Sequence, residues 1–274
     1  MKMRMMVAAA SAALLLLPSA AGSADLVPSC YAAVQIGIAP PEPRRAVFVL
    51  IDQTTPVSAE LSQQLRREAT ANAQAGTRFM VGSFSAAEAG QFTRINAAGT
   101  VESAIPAGLR NTLPVPRLAQ LDQCLAQQRG FGARKFDQAI GAAAAPARAS
   151  FDHSEIMRSL AQLSQRVAAT SAADRIVIVY SDMIEHSDVT SFYQMRNLRV
   201  IDPAAEIAKA SARGQFGNFA GARVYVIGAG LSTSGPMRDS RARDALRAFW
   251  TRWFALSHAR LVEFGAPELM NPVR

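Results

Sequence analysis

Six short apolar segments, separated by stretches with helical periodicity or by loops, constrain this chain more than any single motif. They are AVFVLI (46–51), TRFMVGSF (77–84), TVESAI (100–105), DRIVIVYSD (174–182), ARVYVIGAG (222–230) and ARLVEFG (259–265). Strands buried on both faces read as nearly continuous apolar runs, and strands alternating with helices imply a parallel sheet covered on both sides. The expected fold class is therefore α/β, doubly wound, with a mostly parallel central sheet, one antiparallel edge strand and helices on both faces. TVESAI is the short, polar member and suits an edge; the AAG before it reads as a turn.

The intervening stretches supply the helices. Ser58 to Ala75 carries Leu61 and Leu65 four apart and stops at Gly76. Residues 114–145 read as helix, glycine-containing break, helix, and APARAS after them as a low-complexity loop. From about Ser154 to Ala169, Ile156, Leu160, Leu163 and Val167 recur at steps of three and four, and a further helix is expected around Pro203 to Ala212. Between Asp239 and Ser257, Leu246, Phe249, Trp250, Trp253 and Leu256 form the stripe that a helix lays against a sheet.

The ends and the charge bound the setting. Lys2 and Arg4 precede an apolar run from Val7 to Leu17, then Pro18 and small residues, which is the pattern of a signal peptide over 1–24, too short to span a bilayer. The expected organisation is an N-terminal extension over 25–43, one α/β domain over 44–265 and a C-terminal tail over 266–274, in a periplasmic or secreted protein without a transmembrane segment in its mature chain. Export favours pairing of Cys30 with Cys124, the alternative being two free buried thiols. The net charge is +8, and 26 of the 29 basic residues are arginine. These arginines are spread from Arg44 to Arg274 with no groove-reading element among them, so no nucleic acid is expected as a partner. The densest group, Arg238, Arg241, Arg243, Arg247 and Arg252, lies on or beside an amphipathic helix and reads as a solvated face in preference to a site for an acidic partner.

Two of the most apolar segments end in Asp52 and Asp182. In open α/β sheets the carboxyl edge is where ligands bind, at the point where strand order reverses. A carboxylate there lies among helix N-termini, and oxygen-only surroundings suit a hard divalent cation. At these residues the sequence resembles the von Willebrand factor A-like family, over roughly Arg44 to Gly265. That family's metal-ion-dependent adhesion site combines an Asp-x-Ser-x-Ser motif after the first strand, a Thr from a later loop and an Asp ending the fourth strand. Asp52 and Thr54 match the first motif, with Pro56 standing where its second Ser would be. SEIMRSL (154–160) is similar to the later-loop pattern with Ser154 in the Thr position, and Asp182 corresponds to the last Asp.

The resemblance implies Asp52, Thr54, Ser154 and Asp182 as ligands of Mg²⁺ or Ca²⁺. Where Pro56 removes a hydroxyl, either Thr55 substitutes as an auxiliary donor or the cation is lost, and the polar cluster of Asp182, Glu185, His186 and Asp188 offers Glu185 as a further donor. It implies a non-enzymatic module whose cation is completed by a carboxylate of an envelope or extracellular protein. Two other readings stay open at this point. Asp52 could instead cap the following helix, or act as the nucleophile of a metal-dependent, phosphohydrolase-like enzyme. Against the enzyme, the chain has no second Asp two residues after Asp52, no Gly-x-Ser-x-Gly elbow and no phosphate-cradling glycine loop. Gly228 and Gly230 follow a strand but form no such loop by themselves.

Overall fold

The structure, a computed structural model, describes residues 25–55, 58–85, 93–144, 154–194, 197–232, 235–236 and 239–274. Residues 1–24, Pro56, the APARAS loop and Arg238 lie outside the described residues.

Six strands form the central sheet: β1 (Arg45–Asp52), β2 (Thr77–Phe84), β3 (Thr93–Val101), β4 (Asp174–Tyr180), β7 (Arg223–Ile227) and β10 (Arg260–Phe264), in the order β10-β7-β4-β1-β2-β3. Pairs β5 (Tyr193–Gln194) with β6 (Asn197–Leu198), and β8 (Leu231–Ser232) with β9 (Gly235–Pro236), make two small antiparallel ribbons. All sheet neighbours are parallel except β3, which runs antiparallel to β2 at the edge. Chain order reverses between β1 and β4, which opens the crevice of a doubly wound sheet at their carboxyl ends.

The alternating sides of β1 divide the core. Val47, Val49 and Ile51 pack with Leu61 and Leu65 of α2 (Ala59–Ala71) and with Phe136 and Ile140 of α4 (Val115–Ala143). Leu269 and Val273 of the C-terminal segment bury themselves on the same face. Phe48 and Leu50 face α5 (Ile156–Ala168), α6 (Pro203–Ala212) and α7 (Ser240–Leu256). On α7 the buried stripe is Leu246, Phe249, Trp250, Trp253 and Phe254. Helices thus cover both faces, as expected.

Around the N-terminal end, a third, smaller cluster joins Cys30, Tyr31 and Ile36 to Ile105 and Leu121. Here α1 (Cys30–Val34) is tied to α4 by the Cys30–Cys124 disulfide, with Cα atoms 5.7 Å apart. The amide of Leu26 donates to the Ala98 carbonyl at 2.9 Å, so the N-terminal segment lies along the outer edge of β3 and covers part of it. Short α3 (Ala107–Arg110) links the sheet to α4.

Two glycine readings are corrected. The edge strand covers Thr93–Val101 and not 100–105, with AAG inside it. Gly99 faces the Phe79 ring, where an added Cβ would stand 2.3 Å from Phe79 Cζ, so the glycine serves close packing and not a turn. Likewise α4 is continuous through Gly130 and Gly132. At Gly132 a Cβ would meet Val101 Cγ2 at 2.7 Å, so the helix lies directly on β3. Gly99→Ala should force Phe79 from its place against Phe136, destabilising the fold by about 1–3 kcal/mol as overpacked sites do. Urea melts of this variant would test that; an unchanged midpoint would mean the ring relaxes freely.

Candidate functional site at the switch point

Strand β1 delivers Asp52 to the crevice fully buried. Its Oδ1 accepts from the Thr54 amide at 2.9 Å and the Thr54 hydroxyl at 2.5 Å, closing a tight local turn. Its Oδ2 accepts from Ser181 Oγ at 2.8 Å. The helix-capping reading of Asp52 does not hold, because Ser58 caps α2 by accepting from the Leu61 amide at 3.1 Å.

Thr54 Oγ1 lies 3.1 Å from Ser154 Oγ. Ser154 is carried there by a two-way backbone bridge to His186: each residue's amide donates to the other's carbonyl, at 2.9 and 3.0 Å. The loop after β4 therefore places a residue that precedes α5. Asp182 stands two residues past the end of β4, its amide donating to Thr55 Oγ1 at 2.9 Å. Asp182 Oδ1 accepts from the Ile184 amide at 2.9 Å, and Oδ2 faces the Tyr193 hydroxyl at 3.4 Å. The structure thus links Asp52, Thr54 and Ser154 directly, and ties Asp182 to them through Thr55 and Ser181.

The turn carrying Asp182 is held from three sides. Met183 adopts φ of +60°, a conformation uncommon for a non-glycine residue, and its carbonyl accepts from Trp250 Nε1 at 2.8 Å. Gly230 donates its amide to the Asp182 carbonyl at 2.8 Å, and at Gly228, where φ is +96°, a Cβ would meet the Ser181 carbonyl oxygen at 3.3 Å. The two glycines of VIGAG therefore brace the acidic turn.

Burial dominates the electrostatics. It pushes the Asp52 carboxyl above the usual carboxylate range, against the lowering effect of the Thr54, Ser181 and Thr55 hydrogen bonds. Asp182 is raised well above that range, first by burial and then by the charge of Asp52. Among the described residues no arginine or lysine pairs with either acid. Nor do three or more His, Cys, Asp or Glu side chains gather there as a metal cluster; the site offers two carboxylates and hydroxyls.

Glu185 does not join this group. Its Oε2 accepts from the Met157 amide at 2.9 Å, supplying the cap that α5 lacks from its own N-cap residue. Burial pushes its carboxyl up to about 8 despite those bonds. The folded chain then retains, between the ordinary glutamate value and about 8, a proton that the unfolded chain has lost. Stability falls as pH rises through that window, by up to about 1.4 kcal/mol per unit, and levels off above it. Glu185→Gln should flatten this fall; denaturant melts at several pH values would show it, and parallel profiles for the two proteins would contradict the assignment.

Ser181 is the contact that sequence reasoning missed, and a small hydroxyl between a buried strand and its terminal Asp is the available signal. Fold and site together define a doubly wound α/β domain with a buried, oxygen-rich acidic cluster at its switch point. No protein-family model and no curated protein matches the chain.

Proposed function

We propose that the protein is an exported, von Willebrand factor A-like binding module that engages a partner protein through a weak divalent-cation site. The supporting observation is the meeting of Asp52, Thr54, Ser154 and Asp182 at the switch point, with two desolvated carboxylates and no basic counter-charge among the described residues. The residues fit a hard cation: all donors are oxygens, and Mg²⁺ commonly uses one or two carboxylates while keeping waters. Asp52, Asp182, Thr54 and Ser154 would hold it, and Thr55 would orient Asp182. The bound ion would offset the like charges and offer an open position to an incoming carboxylate. The Cys30–Cys124 disulfide is a cross-link typical of oxidising compartments, which supports a periplasmic or secreted location.

Asp52 is wholly buried with both oxygens engaged, which weighs against a nucleophile. Water-proton relaxation during a Mn²⁺ titration tests the reading. One site with exchangeable water, abolished in Asp182→Asn and accompanied by no turnover of aryl phosphates with Mg²⁺, is expected. Turnover dependent on Asp52 would favour the hydrolase instead.

A further inference from the structure

The arginines that look scattered in the sequence are collected by the topology. Each of the five parallel strands carries an arginine in its first or second position: Arg45, Arg78, Arg175, Arg223 and Arg260. Arg44 precedes the first of them and lies between β2 and β4, its amide donating to the Gly76 carbonyl and its carbonyl accepting from the Asp174 amide. Because these strands are adjacent and parallel, the register brings all six residues to one end of the sheet, opposite the acidic cluster. Neighbouring strands lie about 4.8 Å apart, so the row spans about 19 Å.

The charge at this end is offset only in part: Asp25, Glu42 and Glu102 line the cleft on one side of Arg78. Asp174 pairs with Arg45 at 2.8 Å and with Arg223 at 2.7 Å, leaving a surplus cation even there. Arg175 is turned to the Thr170 carbonyl at 2.9 Å. Arg44, Arg78 and Arg260 are exposed and form no ion pair among the described residues. Beside Arg78 a cleft of about 310 Å³ is lined also by Arg166 of the last turn of α5, by Thr170 and Ser171, and by Glu42. Two guanidinium groups beside two hydroxyls suit phosphate oxygens, since the planar fork of arginine matches them.

We propose that this amino end of the sheet is a docking surface for the phosphate headgroups of an anionic membrane. A row this long answers to an array of phosphates and not to one small anion, and seating it on a bilayer turns the acidic cluster away from the lipid. Among the described residues no helix is long and apolar enough to cross a membrane, so such attachment would be peripheral and electrostatic. A basic side chain near an anionic surface contributes about 1 kcal/mol, or roughly fivefold in partitioning.

Vesicle sedimentation of the whole protein tests this, using phosphatidylcholine with and without phosphatidylglycerol at moderate salt. Binding should require phosphatidylglycerol and weaken with added salt. The combined variant Arg44→Gln, Arg78→Gln, Arg260→Gln should bind about a hundredfold more weakly. A control with the same charge loss elsewhere, Arg94→Gln, Arg134→Gln, Arg241→Gln, should stay within about threefold of the original, the residual long-range effect of net charge. Circular dichroism melts confirm that both variants are folded. Absence of phosphatidylglycerol-dependent binding, equal losses in the two variants, or displacement by inorganic phosphate at constant ionic strength would each overturn the proposal.

Discussion

Replacing Cys30 and Cys124 by serine is expected to lower the unfolding free energy by about 2–5 kcal/mol. The two residues are 94 positions apart, so the bond closes a long loop in the unfolded chain, and in the chain-entropy account long loops carry the larger effect. The folded side of the balance points the same way. Helix α1 has five residues, too few to persist alone, and it depends on its attachments. Beside it Tyr31 donates its hydroxyl to the Ser103 carbonyl at 2.8 Å. The buried Glu102 accepts from the Cys30 amide at 2.8 Å, from Ser29 Oγ at 2.6 Å and from Gln128 Nε2 at 3.1 Å. Without the bond these contacts alone must hold α1 against α4, and a buried carboxylate loses donors if α1 leaves. Denaturant melts of the double variant and of the reduced protein should agree. A midpoint unchanged in both would mean that the Glu102 cluster suffices.

The second large effect is the response to a divalent cation. In the absence of a counter-charge, folding takes Asp52 and Asp182 out of water; burial raises both carboxyls, and the charge of Asp52 raises Asp182 further. An ion that binds the folded chain only stabilises it by mass action, by about 2.7 kcal/mol at a hundred times its dissociation constant. For a domain of this size that corresponds to roughly 5–10 °C in the unfolding midpoint. Asp182→Asn removes the charge while retaining an acceptor for the Ile184 amide, so it should fold in the absence of metal about as stably as the original, or more so, and show no gain from the cation.

Much of this arrangement was legible in the sequence because the strongest signals are local. A buried strand that ends in Asp is visible in AVFVLID, and alternation with helices places its end at the carboxyl edge. Pairing of Cys30 with Cys124 followed from export chemistry. What failed to show depends on contacts between distant residues. Gly99 and Gly132 carry the same local mark as a turn or a break; only the approach of Phe79 and Val101 tells them apart. Phe254 is buried alongside the α7 stripe, because steps of three and four residues do not show how wide a face the sheet covers. Glu185 belongs in the sequence to a polar cluster with Asp182, His186 and Asp188 that suits a donor, whereas in the fold its carboxyl accepts from the Met157 amide at the start of α5. The row from Arg44 to Arg260 is invisible until strand order is known, since its members lie tens of residues apart.

The central claim, that two desolvated carboxylates at the switch point are matched by a cation, meets its most direct test in thermal melts with chelator and with millimolar Mg²⁺ or Ca²⁺. The original protein, Asp52→Asn and Asp182→Asn would be compared at one pH. The account predicts a rise in the midpoint for the original protein and none for either variant. A midpoint for the original protein that does not move with saturating cation would contradict it and leave the acids as a structural pair.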